Sequence, residues 1–396
     1  MVKIIMPQDC CGCGACVQVC PKHCIVLKED KEGFSYPFVN TSVCIACNLC
    51  EKVCPLLDKH IERKPQKVLA LKNRNEEIKL KSSSGGVFYE LASSVIKDRD
   101  GFVFGAVFDE NWEVHHVSAN TINDIRPMMG SKYVQSRIEN TYAEAKRMLQ
   151  EGKTVLFSGC PCQIAGLHSF LHNKSYENLI TVDFLCHGVP SPIVWREYLK
   201  SIQKKRNKKN ILQLKKCRDT ISQINFREKG LGWRNFRLVI ETGNDKSDSI
   251  SKKVQETHKA NAYMQGFLRD LYLRPSCHAC KFKRFQSHSD ITLADYWGIY
   301  RTYPDFNDDK GVSMLFLNSE KGADIYESVS RHFDCIETSF EDTLSNNGLK
   351  LAVFPHKKRS YFFRHFHDRD IQKLISYCIE GTLLSKTIRK IKNKIS

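Results

Sequence analysis

Eight cysteines near the start of the chain restrict its fold more than anything after them. Cys10, Cys13, Cys16 and Cys20 precede Pro21, and Cys44, Cys47, Cys50 and Cys54 precede Pro55. The pattern C-x2-C-x2-C-x3-C-P is therefore written twice, at a constant offset. This is the spacing of a bacterial-type module holding two [4Fe-4S] cubanes, in which the last cysteine of each run ligates the other cluster. It assigns Cys10, Cys13, Cys16 and Cys54 to one cluster, and Cys44, Cys47, Cys50 and Cys20 to the second. Gly14 and Asn48 hold equivalent places in the two loops, and both residue types tolerate the left-handed backbone such a loop needs. Zinc knuckles and a disulfide scaffold are the competing readings. Zinc sites separate two CxxC pairs by a longer spacer, and a third cysteine at the same step, repeated in a second copy, fits cubanes better.

The chain has 396 residues, 41% apolar, enough for two or three domains. Its 18 cysteines are grouped rather than spread as a framework. No signal peptide precedes the first cluster motif and no apolar run is long enough to span a bilayer, so a reducing cytoplasm is the expected compartment. The formal charge of +17 counts every cysteine as neutral; thiolates bound to clusters reduce that surplus. A basic surface suits an acidic ferredoxin or another redox protein as partner. No nucleic-acid motif or basic stripe interleaved with aromatics accompanies the charge, so nucleic acid is not an expected partner.

The texture of the chain predicts an α+β protein. Residues 1–60 form the ferredoxin module, with a hairpin around Gly33, and residues 61–67 a charged linker. Residues 68–152 and 153–345 are expected to be the two parts of a larger mixed α/β domain, followed by a basic helical tail over 346–396. The basic run 203–216 reads as a solvated excursion. Ile388, Ile391 and Ile395, at helical spacing near the end, read as a terminal helix rather than a membrane-surface anchor.

A second set of cysteines lies at predicted strand ends and beside a predicted helix. Cys160 and Cys162 follow one buried strand, Cys186 ends the next, and Cys277 and Cys280 form a CxxC. In an open α/β sheet such strand ends meet at a ligand-binding crevice. Cys162, Cys186, Cys277 and Cys280 are therefore candidates for a third [4Fe-4S] cluster, with Cys160 as a spare or substitute. A zinc site on the same residues and unliganded core thiols remain open on spacing alone. Cys11, Cys24, Cys217, Cys335 and Cys378 have no partner spacing and are read as ordinary thiols.

The order of motifs resembles a known family. After the ferredoxin module come SSSGGVF (82–88), GSKYVQS (130–136), GCPCQIAGL (159–167), DFLCHGVPSP (183–192), CHACKFKR (277–284) and SDITLADYWGI (289–299). Together these resemble the coenzyme F-420 hydrogenase/dehydrogenase beta-subunit family. The resemblance implies an FAD-containing iron–sulfur oxidoreductase, and hence a flavin-binding larger domain. It also implies a cluster held by the cysteines of the GxPCQ, CHG and CxxC motifs, which here are Cys162, Cys186, Cys277 and Cys280. Relatives have Thr where this chain has Cys160, which leaves a choice of ligand between Cys160 and Cys162.

No GxGxxG fingerprint accompanies the implied flavin. Ser83, Ser84, Gly85 and Gly86, at a helix start, are the candidate pyrophosphate cradle, since glycines admit close backbone approach and a helix N-terminus favours an anion. An N-cap with a glycine-rich turn is the plainer reading. Lys132 and Gln135 are candidate contacts to the flavin or its phosphates, Lys132 as a fixed cation beside developing negative charge. His187 and Asp295 are weak candidates for proton delivery. The expected function is electron transfer between a ferredoxin-like carrier and a small organic acceptor through clusters and FAD. The alternative is a non-catalytic subunit relaying electrons within a larger redox complex.

Overall fold

The computed structural model describes residues 2–58, 61–209, 220–243, 252–343 and 351–380. Cys217 and the helical spacing of Ile388, Ile391 and Ile395 lie outside these residues, as does the second half of the basic run 203–216. In the ferredoxin module, β1 (Ile25–Glu29) and β2 (Ser35–Val39) form the expected hairpin, with Ile25 opposite Val39. Its turn is pinned by Asp30, whose carboxylate accepts from the amides of Glu32 and Phe34, both at 2.9 Å. Gly33 sits in that turn at φ +83°. A Cβ there would stand 2.6 Å from Ile193 Cβ, so glycine lets the hairpin rest on the start of the helix Pro192–Lys209.

The larger domain begins with β3 (Lys67–Asn73), β4 (Phe102–Phe108), β5 (Val114–Ala119), β6 (Val155–Ser158) and β7 (Leu179–Phe184). Next come β8 (Thr220–Glu228), β9 (Arg237–Gly243) and β10 (Lys252–Thr257), an antiparallel sheet of their own. The chain then returns through β11 (Ile291–Asp295), β12 (Ser313–Leu317) and β13 (Phe333–Glu337). The main sheet has the order β13-β3-β12-β11-β7-β6-β4-β5. Its centre, β4–β6–β7–β11, is parallel, and antiparallel strands flank it on both sides. Parallel strands need cover on both faces, which explains the unbroken apolar runs in β6 and β7. The helix Val87–Arg99 covers one face through Leu91 and Val95. The helices Thr141–Gln150 and Pro161–Phe170 cover the other through Tyr142, Ala145, Ile164 and Leu167.

The two expected parts of the larger domain, 68–152 and 153–345, share one sheet, since β4 pairs in parallel with β6. The segment beyond 346 is not simply a tail. Up to residue 380 it contains the helices Arg359–Arg364 and Ile371–Glu380, and Phe362, Leu374, Ile375 and Cys378 are buried with Trp195, Tyr263 and Tyr272. The lysines and arginines of this stretch masked its apolar face in sequence. No described helix is long and apolar enough to cross a membrane.

Candidate metal centres and cofactor cavity

Gly14 and Asn48 have φ of +76° and +59°, and each opens a short helix, Ala15–Gln18 or Leu49–Lys52. The loops also repeat a hydrogen bond: the Gly12 amide donates to Cys10 Sγ and the Ala46 amide to Cys44 Sγ, both at 3.4 Å. Cys16 lies within electrostatic range of Cys10 and Cys54, so the last cysteine of the second motif stands with the first motif. Cys24 and Cys11, which have no partner spacing, each have other thiols as neighbours. Cys24 Sγ is 3.4 Å from Cys20 Sγ and also interacts with Cys44. Cys11 is buried, with its thiol against those of Cys13 and Cys162. Neither contact follows from spacing; folding of the loops and docking of the module create them.

The ferredoxin module is seated on the larger domain around Cys10 and Cys11. Arg274, 1% exposed, donates to the carbonyls of Cys10 (2.8 Å) and Ser35 (2.9 Å) and to Gln135 Oε1 (3.0 Å). Gln135 Nε2 in turn donates to the Cys11 carbonyl at 3.1 Å. The expectation that Gln135 touches flavin is therefore corrected: its amide is engaged by the module and does not line the cavity described below. Gly166 admits the closest approach, since a Cβ there would meet Cys13 Cβ at 2.8 Å.

The second set of cysteines converges beside this junction. After β6, Cys160 caps the helix Pro161–Phe170, and Gln163 Oε1 accepts from the Cys160 amide at 2.9 Å. The neighbouring parallel strand β7 leads to Cys186. The short helix Pro275–Ala279 carries Cys277 and ends at Cys280. Cys160 lies against Cys186, and Cys277 and Cys280 both feel Cys186. Cys162 lies against Cys11 and also feels Cys160 and Cys186. The structure thus gathers Cys162, Cys186, Cys277 and Cys280, keeps Cys160 with them, and adds Cys11. The Cys160 thiol, then Lys283 and His187, lower Cys186 to about 7, whereas burial pushes Cys277 up to about 12. Among the described residues no group of three Cys, His, Asp or Glu side chains is placed to hold a single metal ion.

Cys160 and Cys186 also line a cavity of about 860 Å³, within the size range of cofactor sites. Ser83, Ser84 and Gly86 line it at the start of the helix Val87–Arg99, where Gly86 has φ +89°. Gly85 does not line it: a Cβ there would strike the Leu71 carbonyl at 2.3 Å, so this glycine serves packing on β3 and β12. The loop is held by hydrogen bonds from Ser84 Oγ to the Val312 carbonyl (2.8 Å) and from Lys229 Nζ to the carbonyl of Ser84 (2.7 Å). Lys132 lines the cavity with Nζ 3.2–3.3 Å from the carbonyls of Met128, Met129 and Gly130, and burial lowers it to about 7. Three carbonyl acceptors suit an ammonium, with its three donors, better than a neutral amine.

His187 and Asp295 both reach the cavity wall. His187 Nε2 is 2.7 Å from Asp270 Oδ1, and Asp295 forms an ion pair at 2.9 Å with Arg227. Arg227 is buried, bonds the carbonyl of Ser83, and lies over the rings of Phe236 and Trp297. Its Nε has no partner among the described residues. A buried guanidinium N–H, a left-handed glycine at a helix start and a cavity of this size are the observations that fit a phosphate-bearing cofactor. Arg227, Lys229 and His116 were missed in sequence because they stand in no motif.

Residues 152–342 match the family model for the carboxy terminus of the coenzyme F420 hydrogenase/dehydrogenase beta subunit, and residues 9–56 match a 4Fe-4S dicluster domain. The F(420)H(2) dehydrogenase subunit named F, from Methanosarcina mazei, is 23% identical over 194 residues, 47% of this chain and 55% of that protein. The chain thus spans about half the length of that relative. A ferredoxin of Hydrogenibacillus schlegelii, named Ferredoxin 7Fe, is 37% identical over 54 residues, 13% of this chain and 63% of that one. In a solved F420-reducing [NiFe] hydrogenase complex from Methanosarcina barkeri, one chain is similar at 16% identity and a TM-score of 0.43, over 85% of this chain and 94% of that chain. Behind the iron–sulfur motifs at its start, the chain thus carries in its larger α/β domain the carboxy-terminal region of the coenzyme F420 hydrogenase/dehydrogenase beta-subunit family.

Proposed function

We propose that the chain is an FAD-dependent iron–sulfur oxidoreductase. In this reading it exchanges electrons between an acidic ferredoxin-like carrier and a small organic acceptor through three [4Fe-4S] clusters. The observation that carries it is the run of thiols from Cys13 through Cys11 and Cys162 to Cys160 and Cys186, which line the cavity. FAD, when bound, supplies the exchange between one-electron and two-electron chemistry. Ser83, Ser84 and Gly86 bind its phosphates, and Arg227 closes the wall beside them. Lys132 places a fixed cation where negative charge develops. His187, on the cavity wall with Asp270 beside its ring, is the group that exchanges a proton with the acceptor. Phe267 packs edge-on against that ring at 5.2 Å between centroids.

Anaerobic purification tests the reading. Bound FAD released on denaturation, about twelve irons per chain at four per cubane, and turnover of a small acceptor by the isolated chain are expected. A preparation without flavin would overturn it. Flavin and clusters without turnover would favour a relay subunit, for which Ile5, Met6, Val43 and Ile45, exposed around the ferredoxin motifs, are the supporting observation.

A further inference from the structure

Three consecutive carbonyls of the cradle loop are held by the body of the larger domain. Arg227 Nη2 donates to that of Ser83 at 3.2 Å, Lys229 Nζ to that of Ser84 at 2.7 Å, and the Asn73 amide to that of Gly85 at 2.8 Å. The peptides of the described residues are all trans, and a trans peptide turns its N–H to the side opposite its C=O. The amides of Ser84, Gly85 and Gly86 therefore point away from these three donors. The Gly85 amide donates to Ser313 Oγ at 2.8 Å, so the 84–85 peptide is fixed at both ends. The peptides on either side of it are held by their carbonyls. Their N–H groups belong to Ser84 and Gly86, which line the cavity, whereas Gly85 does not.

Lys229 reaches this loop from just beyond β8. It is 7% exposed, and Nζ also donates to the carbonyls of Lys79 at 2.8 Å and Lys310 at 2.7 Å, so one side chain ties three segments. Gly311 admits it: a Cβ there would stand 2.7 Å from the Ser84 carbonyl oxygen and 2.8 Å from Lys229 Nζ. Lys229 does not itself line the cavity. Arg227 does, 4% exposed and with Nε unpartnered among the described residues. A buried guanidinium N–H of that kind calls for an acceptor, and a phosphate oxygen is one.

We propose that Lys229 is a positioning residue for a diphosphate-bearing cofactor. With Ser313 it locks the 84–85 peptide, which leaves the Ser84 and Gly86 amides as the pair that takes phosphate oxygens. Gly86, left-handed at the start of the helix Val87–Arg99, completes a run of N–H groups of the kind that binds anions. The lysine acts through the backbone: it holds the amides in place before the anion arrives, so binding does not have to order them.

This inference rests on the flavin of the proposed function, and the test separates the two. Flavin-free wild type, Lys229→Met and Ser313→Ala, prepared anaerobically, are titrated with FAD, ADP and riboflavin, and the iron content of each is recorded. Failure of wild type to bind FAD would sink the cofactor reading and the role of Lys229 with it. Where wild type binds FAD, both variants are expected to keep their iron and to bind FAD and ADP about tenfold more weakly, the loss that follows when a buried group is left without its partner. Riboflavin, which has no phosphate, should bind all three proteins alike. Ser313→Ala removes only an acceptor and carries the test should Lys229→Met fail to fold. Unchanged affinity for FAD in the variants would leave the lysine without a role in binding, and a loss for riboflavin as large as that for FAD would make it a general prop of the cavity. Either result would overturn the proposal.

Discussion

Arg274 Nε donates to the backbone carbonyl of Cys10 at 2.8 Å, so a residue of the larger domain orients the first cysteine of the ferredoxin loop. The guanidinium is buried, lies 4.5 Å from the ring centre of Tyr36, and also donates to the Ser35 carbonyl, Gln135 Oε1 and Cys10 Sγ, the last at 3.6 Å. Arg274→Ala leaves buried carbonyls without donors, a loss of about 1–3 kcal/mol for each group. The expected outcome is a loosened module. Limited proteolysis within residues 61–67 should be markedly faster than in wild type, and an unchanged cleavage rate would show that the module is held elsewhere.

Gly166→Ala tests the same junction from the helix side. The new methyl would lie 2.8 Å from Cys13 Cβ and 2.9 Å from the Tyr142 hydroxyl. Both neighbours are buried, so neither has room to give. Overpacking of this kind costs about 1–3 kcal/mol. A lower apparent Tm is expected in the iron-loaded protein, checked by thermal unfolding under anaerobic conditions.

Cys280→Ala should remove one corner of the proposed domain cluster and leave the ferredoxin module intact. Iron should fall from about twelve to about eight per chain, four per cubane, with acid-labile sulfide falling in step. Retention of all the iron would exclude Cys280 from the ligand set.

His116 provides a pH dependence. It is buried, with Nδ1 2.6 Å from Ser136 Oγ and Nε2 3.0 Å from the Ser158 carbonyl, a pattern that suits the neutral ring. Burial lowers its pKa to about 4, while the unfolded chain takes up the proton near pH 6.5. Its contribution is complete above about pH 6.5 and is lost as pH falls toward 4, on the order of 3 kcal/mol in all. Asp183, raised to about 6 by burial, acts in the opposite sense over part of that window. Unfolding of wild type and His116→Gln is therefore best compared between pH 7 and 5. The wild type should lose more stability on acidification, and parallel losses would exclude His116 as the titrating group.

Arg227→Met removes the cation from Asp295 and the donor from the carbonyl of Ser83. Breaking a buried ion pair from one side costs about 3–5 kcal/mol, and the cradle loop loses a tether. Little flavin should remain bound, measured by absorbance of the released cofactor, with the iron of the ferredoxin module unchanged. Full flavin occupancy would remove Arg227 from the cofactor wall.

Spacing alone determined the character of the ferredoxin module, because each cluster motif is a run within one tight loop and its geometry is set by a few residues. Gly14 and Asn48 were legible for the same reason: a left-handed turn at a fixed step suits few residue types. The buried strands β6 and β7 were legible as apolar runs, which placed Cys160, Cys162 and Cys186 at their ends. Tertiary structure alone decided that Cys11 meets Cys162, that Gln135 serves the module junction rather than the cavity, and that Arg227 pairs with Asp295. Those partners are far apart along the chain and no local preference couples them. Their contacts arise only when the sheet aligns its strand ends and the ferredoxin loop is pressed against the helix that bears Gly166.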